Sequence, residues 1–393
     1  MAERNLDFDT VIDRKNTNSL KYDLAVKRGM PEDILPLWVA DMDFKISSYI
    51  QDAMLRQAEH GIYGYSEPGE EYFEAVSSWL RKRHGWEVNP EWLIKTPGVV
   101  YALAMAVRAF TNVGDSVLIQ QPVYYPFSGV ILDNKRKVVN NALILDGDGK
   151  YEMDFEDFEE KIIKENVRLF FLCNPHNPIG RVWSRQELER IGDICCKHHV
   201  TVVSDEIHSD FVWQGKHQVF ADLKEEYREI TVTCTAPSKT FNIAGLQTSN
   251  IFIANARLRH LFKKQIDASG YSQLNSAGVA ACEAAYRHGE EWYQAVSEYI
   301  KNNISYIQEY LKENIPEVKM RAPEGTYLVW LDFRDLKLSE NELENLIVQK
   351  AGLWLDGGTM FGDDGRGFQR VNAACPRTIL ETALNKLENA VHS

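Results

Sequence analysis

Between Glu70 and His84 the apolar residues Phe73, Val76 and Leu80 recur at three- and four-residue steps. That spacing predicts a helix with one buried face, and Gly85 follows as a stop. From about Gly98 the pattern becomes α/β. The segment 99–110 (VVYALAMAVRAF) is apolar on most sides and predicts a buried helix. Short apolar runs follow at 117–119 (VLI), 169–173 (LFFLC), 200–203 (VTVV), 230–236 (ITVTCTA) and 250–254 (NIFIA). They are rich in Val, Ile and Phe, and helical spacings separate several of them. Such runs predict strands covered on both faces of a mainly parallel sheet. The helix after Ser184 opens on a capping box, Ser184 with Glu187.

After about residue 285 the pattern shifts. A long amphipathic helix carries Val296, Ile300, Ile304, Ile307 and Leu311 on one side. An alternating strand (YLVWLDF, 327–333), a helix capped by Ser339 and Glu342, short strands and a final helix after Pro376 complete a smaller α+β unit. At 393 residues the chain exceeds one ordinary core. We expect a large domain at 47–285 and a small one at 286–393. The proline-punctuated segment 1–46, which ends in LPLWVADMDF, is expected to pack with the small domain.

Charge narrows the partners. The formal net charge of -13 argues against nucleic acid and anionic membranes, because phosphates would be repelled. The N-terminus is charged without an apolar signal core, and no apolar run is long enough to cross a bilayer. The six cysteines form no paired framework, which suits free thiols in a reducing cytoplasm.

Three polar clusters fall just past predicted strands. Asn174-Pro175-His176-Asn177-Pro178-Ile179-Gly180 follows LFFLC, Asp205-Glu206-Ile207-His208 follows VTVV, and Ser238-Lys239-Thr240 follows ITVTCTA. In open α/β sheets ligands sit at the carboxyl ends of strands, so an Asn, an Asp and a Lys can converge there. That set suits a pyridine-aldehyde cofactor. The lysine amine forms an imine, the carboxylate pairs with the ring nitrogen, and the amide donates to a phenolate oxygen. Singly, each has a plainer reading: a solvated lysine, a helix cap, a turn. Their joint occurrence favours the site.

The motifs NPHNPIG, VVSDEIH and APSKTFNIAGLQ resemble the signature of class I/II aminotransferase-like enzymes that use pyridoxal 5'-phosphate (PLP). LPLWVADMDF, TPGVVYAL, PVYYPF and FQRVNAACP resemble the MalY/PatB group of cystathionine β-lyase-like C–S lyases. The resemblance runs from about Leu35 to Pro376. It implies PLP fold type I, the aspartate-aminotransferase-like α/β fold, with a mainly parallel sheet in the large domain and a smaller α+β domain. It implies Lys239 as the Schiff-base lysine and proton shuttle, Asp205 at the pyridine nitrogen, Asn177 at the phenolate oxygen and Tyr124 stacked on the ring. Lys239, Tyr124 and Asp205 form the catalytic set. Gly98, Val99 and Val100 would cradle the phosphate at a helix N-terminus, with Ser238 a further phosphate candidate. Arg370 would clamp the substrate α-carboxylate, beside Asn177 and Tyr124. Tyr65, in YGYSEPG, would reach the phosphate of the neighbouring subunit of a homodimer.

Two positions depart from the wider aminotransferase pattern. Gln247 stands where many of those enzymes place a phosphate-binding Arg, and His208 where they often carry a Tyr near the ring. His208 is expected beside the cofactor as a structural or acid–base group. Elsewhere, Cys195-Cys196-Lys197-His198-His199 looks like a metal cluster, but reads better as the end of an amphipathic helix on which Cys195 and His199 share a face. DGDGK (146–150) reads as a turn, and GGTMFGDDGRG (357–367) as a mobile active-site loop.

The resemblance implies α,β-elimination from cystathionine or a related cysteine S-conjugate, giving a thiol, pyruvate and ammonia. An aminotransferase would use the same residues, and a lyase with an added protein-binding regulatory role is the third possibility.

Overall fold

The computed structural model describes residues 2–393. Its large sheet has seven strands. From one edge to the other they are Leu93–Thr96, Ser249–Phe252, Thr231–Thr235, Thr201–Asp205, Leu169–Cys173, Ser116–Ile119 and Lys137–Asn140. All run parallel except Ser249–Phe252, which is antiparallel to both neighbours. Every residue of Leu169–Cys173 is buried, as expected of a strand covered on both faces. The two strands absent from the apolar pattern, Leu93–Thr96 and Lys137–Asn140, are the edges, where half-buried and exposed positions admit Lys95 and Lys137.

Helices cover the sheet as their periodicity requires. Val99–Phe110 buries Val99, Ala102, Leu103, Met105, Ala106 and Val107. In Glu70–His84 the buried stripe is Tyr72, Ala75, Val76, Trp79 and Leu80. Phe73 lies at its margin, because Tyr72 and Trp79 can bury their rings while their polar tips bond to Asn250 and Asp210. Arg185–Lys197 carries the capping box, with Glu187 N donating to Ser184 Oγ and Ser184 N to Glu187 Oε2. That helix ends at Lys197. His199 lies beyond it in the left-handed region (φ 55°), so it does not share a helical face with Cys195 as expected. Among the described residues no cluster of His, Cys, Asp and Glu is placed to hold a metal. No helix among them is long and apolar enough to cross a membrane.

A second, four-stranded sheet follows the order Lys319–Met320, Leu328–Asp332, Phe368–Asn372 and Asp356–Gly357. The 25-residue helix Glu290–Asn314 buries Val296, Ile300, Ile304, Ile307 and Leu311 on one side. Parts of the N-terminal stretch reach both sheets' surroundings: Glu3 accepts from Ser47 Oγ and Ser48 N, while residues 35–38 join the second part of the molecule. Leu35–Pro36 pairs in parallel with Leu353–Trp354, and Trp38 stacks on Trp354 with ring centroids 4.5 Å apart.

DGDGK closes a hairpin between Ile144–Leu145 and Tyr151–Glu152, where Asp146 Oδ1 accepts from the amides of Asp148 and Lys150. The segment 357–367, expected to be mobile, is tied down instead. Phe361 is fully buried and its carbonyl accepts from Val123 N.

Candidate active site

The strand ends open into a cavity of about 320 Å³. Its walls include Gly98, Val99, Val100, Tyr124, Asn177, Asp205, His208, Ser238, Lys239, Gln247 and Arg370. Eleven of the twelve residues singled out from the sequence thus meet at one place. Tyr65 does not; it is 99% exposed on this chain, near the likewise exposed Ile62 and Tyr63.

Strand ends explain the convergence. Asp205 is the last residue of its strand, Asn174 follows Cys173, and Pro237–Thr240 forms a short helical turn directly after Thr235 and Ala236. The NPHNPIG loop is held against the segment 323–325. Gly180 sits at φ 68°, a Cβ there would lie 2.5 Å from Pro323 Cβ, and its carbonyl accepts from the amides of Glu324 and Gly325. Glycine meets both requirements.

Burial sets the electrostatics. Asp205 accepts one hydrogen bond, from Ile207 N at 3.2 Å, and burial pushes its carboxyl up to about 7. Lys239 Nζ donates to the Ala40 carbonyl at 2.7 Å, and burial lowers its amine to about 8. His208 is buried with no partner for Nδ1; burial, then Lys239 and Arg370, hold it well below the usual imidazole value. It is a neutral ring at physiological pH.

Arg370 is almost completely buried. Nη1 donates to Asn177 Oδ1 at 2.9 Å, Nη2 donates to the Trp38 carbonyl at 2.8 Å and forms an ion pair with Asp356, while Nε has no partner. With Oδ1 of Asn177 engaged by Arg370, the amide nitrogen is left as a donor for the cavity. The guanidinium also lies 4.9 Å from the Phe361 ring centroid.

Sequence reasoning gave LPLWVADMDF no role at the site, yet its residues 38–43 form a strap that closes one wall. Ala40 O accepts from Lys239 Nζ and from Tyr327 OH. Asn372 Nδ2 donates to the carbonyls of Val39 (2.7 Å) and Asp41 (2.6 Å). Below it, the fully buried Lys21 pairs with Asp43 at 2.7 Å, and Arg14 bonds both Asp41 and Asp43 at 2.6 Å. One signal was available: in the strand FQRVN, Arg370 and Asn372 are two residues apart and so share a face.

The group that fits this cavity can be tested on these atoms. Asp205 is a buried carboxylate without a cation in hydrogen-bond contact, which suits a ring N–H. Asn177 offers a free amide donor and Lys239 an amine of lowered basicity. The first amides of Val99–Phe110 have no partners within their helix, and a phosphate would supply them. The donor set fits pyridoxal phosphate.

Residues 32–387 match the model of the aminotransferase class I and II family. The chain belongs to that family. Within it, cystathionine beta-lyase PatB of Bacillus subtilis (strain 168) is 45% identical over 387 residues, covering 98% of this chain and 100% of that one. Protein MalY of Escherichia coli (strain K12) is 33% identical over 390 residues, covering 98% and 99%. Cystalysin from Treponema denticola, whose crystal structure contains pyridoxal 5'-phosphate, matches with a TM-score of 0.95 at 40% identity and covers 98% of each chain. The fold is therefore that of the PLP enzymes of fold type I, as expected from the strand and helix pattern together with the motifs.

Proposed function

We propose that this protein is a PLP-dependent carbon–sulfur β-lyase that cleaves cystathionine or related cysteine S-conjugates to a thiol, pyruvate and ammonia. The observation that carries it is the gathering of Lys239, Asp205, Asn177 and Arg370 on one cavity, in a chain similar over its length to cystathionine beta-lyases. Bound here, pyridoxal phosphate supplies the aldehyde that takes the substrate amine and the ring that stores an electron pair.

The chain's own residues do the rest. Asp205 keeps a proton on the ring nitrogen. Asn177 donates its amide hydrogen to the phenolate oxygen, and Tyr124 covers the ring. The amides of Gly98, Val99 and Val100, with Ser238, hold the phosphate, and Gln247 leaves that task without an arginine. Arg370 fixes the α-carboxylate and so presents the α-hydrogen to Lys239 Nζ. Lys239 takes that proton, the C–S bond breaks with its electron pair leaving on sulfur, and water then hydrolyses the remaining three-carbon fragment to pyruvate and ammonia. His208 serves as a neutral wall beside the ring.

Three further features complete the reading. The exposed Tyr65, with Ile62 and Tyr63, supports a homodimer in which Tyr65 reaches the phosphate of the other subunit. Six free cysteines support a cytoplasmic setting. The two sheets support a division into residues 47–285 and 286–393, with 1–46 attached to the latter.

Pyruvate release from cystathionine, cystine and cysteine, measured side by side, tests the function. Pyruvate is expected in equal amount with the leaving sulfur species: homocysteine from cystathionine, thiocysteine from cystine and sulfide from cysteine. Conversion of the cofactor to its amine form, with a keto-acid product that keeps its sulfur substituent, would overturn it.

A further inference from the structure

The cavity wall carries donors that the reaction at Lys239 does not use. Leu20, Trp38, Val39 and Tyr125 form an apolar wall there. The Arg28 guanidinium lies 4.8 Å from the centroid of the Trp38 ring. Arg28 is exposed and, among the described residues, pairs with no carboxylate. The indole N–H of Trp38 is buried and has no hydrogen-bond partner. The Tyr125 hydroxyl, half-buried, has none among the described residues either.

N–H and O–H donors without acceptors suit an anion, and a guanidinium held over an aromatic ring and free of carboxylates keeps its fork of donors available to one. The inner cation cannot serve two carboxylates. Arg370 is occupied by Asp356, Asn177 and the Trp38 carbonyl, with little more than its Nε side left for the α-carboxylate. Burial raises both Tyr125 and Asp356, and Arg370 and Arg28 both oppose that rise.

We infer that Arg28, seated on the cavity-wall residue Trp38, binds a second, distal carboxylate on the thiol half of the substrate. This rests on the lyase reading and names its substrate class: cysteine S-conjugates whose leaving thiol carries a carboxylate a few methylenes from sulfur. The methylenes lie along Leu20, Val39 and Tyr125, and the carboxylate ends at Arg28.

Two conjugates of equal length decide the matter, S-(3-carboxypropyl)cysteine and S-butylcysteine. For the wild-type holoenzyme kcat/KM on the acid should exceed that on the alkyl conjugate by about five- to tenfold, the range of a partly exposed, well-oriented charge pair. Arg28→Gln should bring the ratio close to one, chiefly through KM. The same ratio is read as Kd with PLP-loaded Lys239→Ala protein, so a wild type that releases pyruvate from neither conjugate refutes the lyase reading while the distal subsite is still measured by binding. A wild-type ratio near one, or a ratio that Arg28→Gln leaves unchanged, overturns the subsite and makes Arg28 only a lid on Trp38.

Discussion

Asp356 and Arg370 face each other across adjacent antiparallel strands, and their side chains form an ion pair under the cavity floor. The register dictates the pair, since directly opposed residues on one face lie within side-chain reach. Both groups are almost fully buried, so each is the other's main compensation for lost water.

Removing one partner should therefore be more damaging than removing both. Asp356→Leu leaves the guanidinium with only neutral partners, Trp38 O and Asn177 Oδ1. A loss of about 3 kcal/mol is expected. The double variant Asp356→Leu/Arg370→Met should be more stable than Asp356→Leu alone. Denaturant melts of both proteins check this, and a double variant less stable than the single would disprove the coupling.

Asp205 allows a rate test and a pH test. Asp205→Ala should lose roughly 10³-fold in kcat, about 4 kcal/mol of transition-state stabilisation, and Asp205→Glu should lose less. A near wild-type rate for the alanine variant would remove the ring-nitrogen role. In the apoprotein the folded value, about 7, lies above the ordinary carboxylate value of 3.8, so the folded state holds the extra proton between them. Apoprotein stability should fall as pH rises through that window. Asp205→Asn should flatten the fall, which thermal melts across the range would show.

Much of this was legible along the chain because it follows from strand ends. A polar residue directly after a buried apolar run stands at the mouth of a parallel sheet, and so the Asn177, Asp205 and Lys239 clusters could be expected to meet. The reversed direction of Ser249–Phe252 was not legible, since an apolar run reads the same in both orientations. Asp356 was hidden for another reason. One carboxylate before a Gly-Gly pair looks like a turn residue until the register sets it opposite Arg370. The grip of Ala40 on Lys239 joins residues 199 apart through a backbone carbonyl, which no side-chain pattern encodes.

Lys239 should load its cofactor at a pH well below that of a free lysine. The neutral amine attacks the aldehyde, and burial, opposed by Asp41 and Asp205, lowers the amine to about 8. The rate at which apoprotein gains visible absorbance on mixing with PLP should rise with pH and reach its midpoint near that value. A midpoint at the ordinary lysine value of 10.5 would contradict the desolvated setting. Lys239→Ala should abolish turnover; normal turnover by that variant would sink the assignment.

The remaining prediction concerns Arg370 itself. Every amino-acid substrate carries an α-carboxylate, whatever its sulfur substituent, so a residue that binds it should act on all conjugates alike. Lysine at this position would keep a charge but lose the fork that now reaches Asn177, Trp38 and Asp356 at once. Arg370→Lys should therefore weaken apparent binding of each conjugate by a similar factor, about tenfold or more for a lost charge-assisted contact. The rank order of substrates should not move. Steady-state kinetics on three conjugates of different size, with a thermal melt to exclude misfolding, provide the measurement. A loss confined to one conjugate would assign Arg370 to the sulfur substituent instead of the α-carboxylate, and an unchanged KM throughout would leave it a structural partner of Asp356.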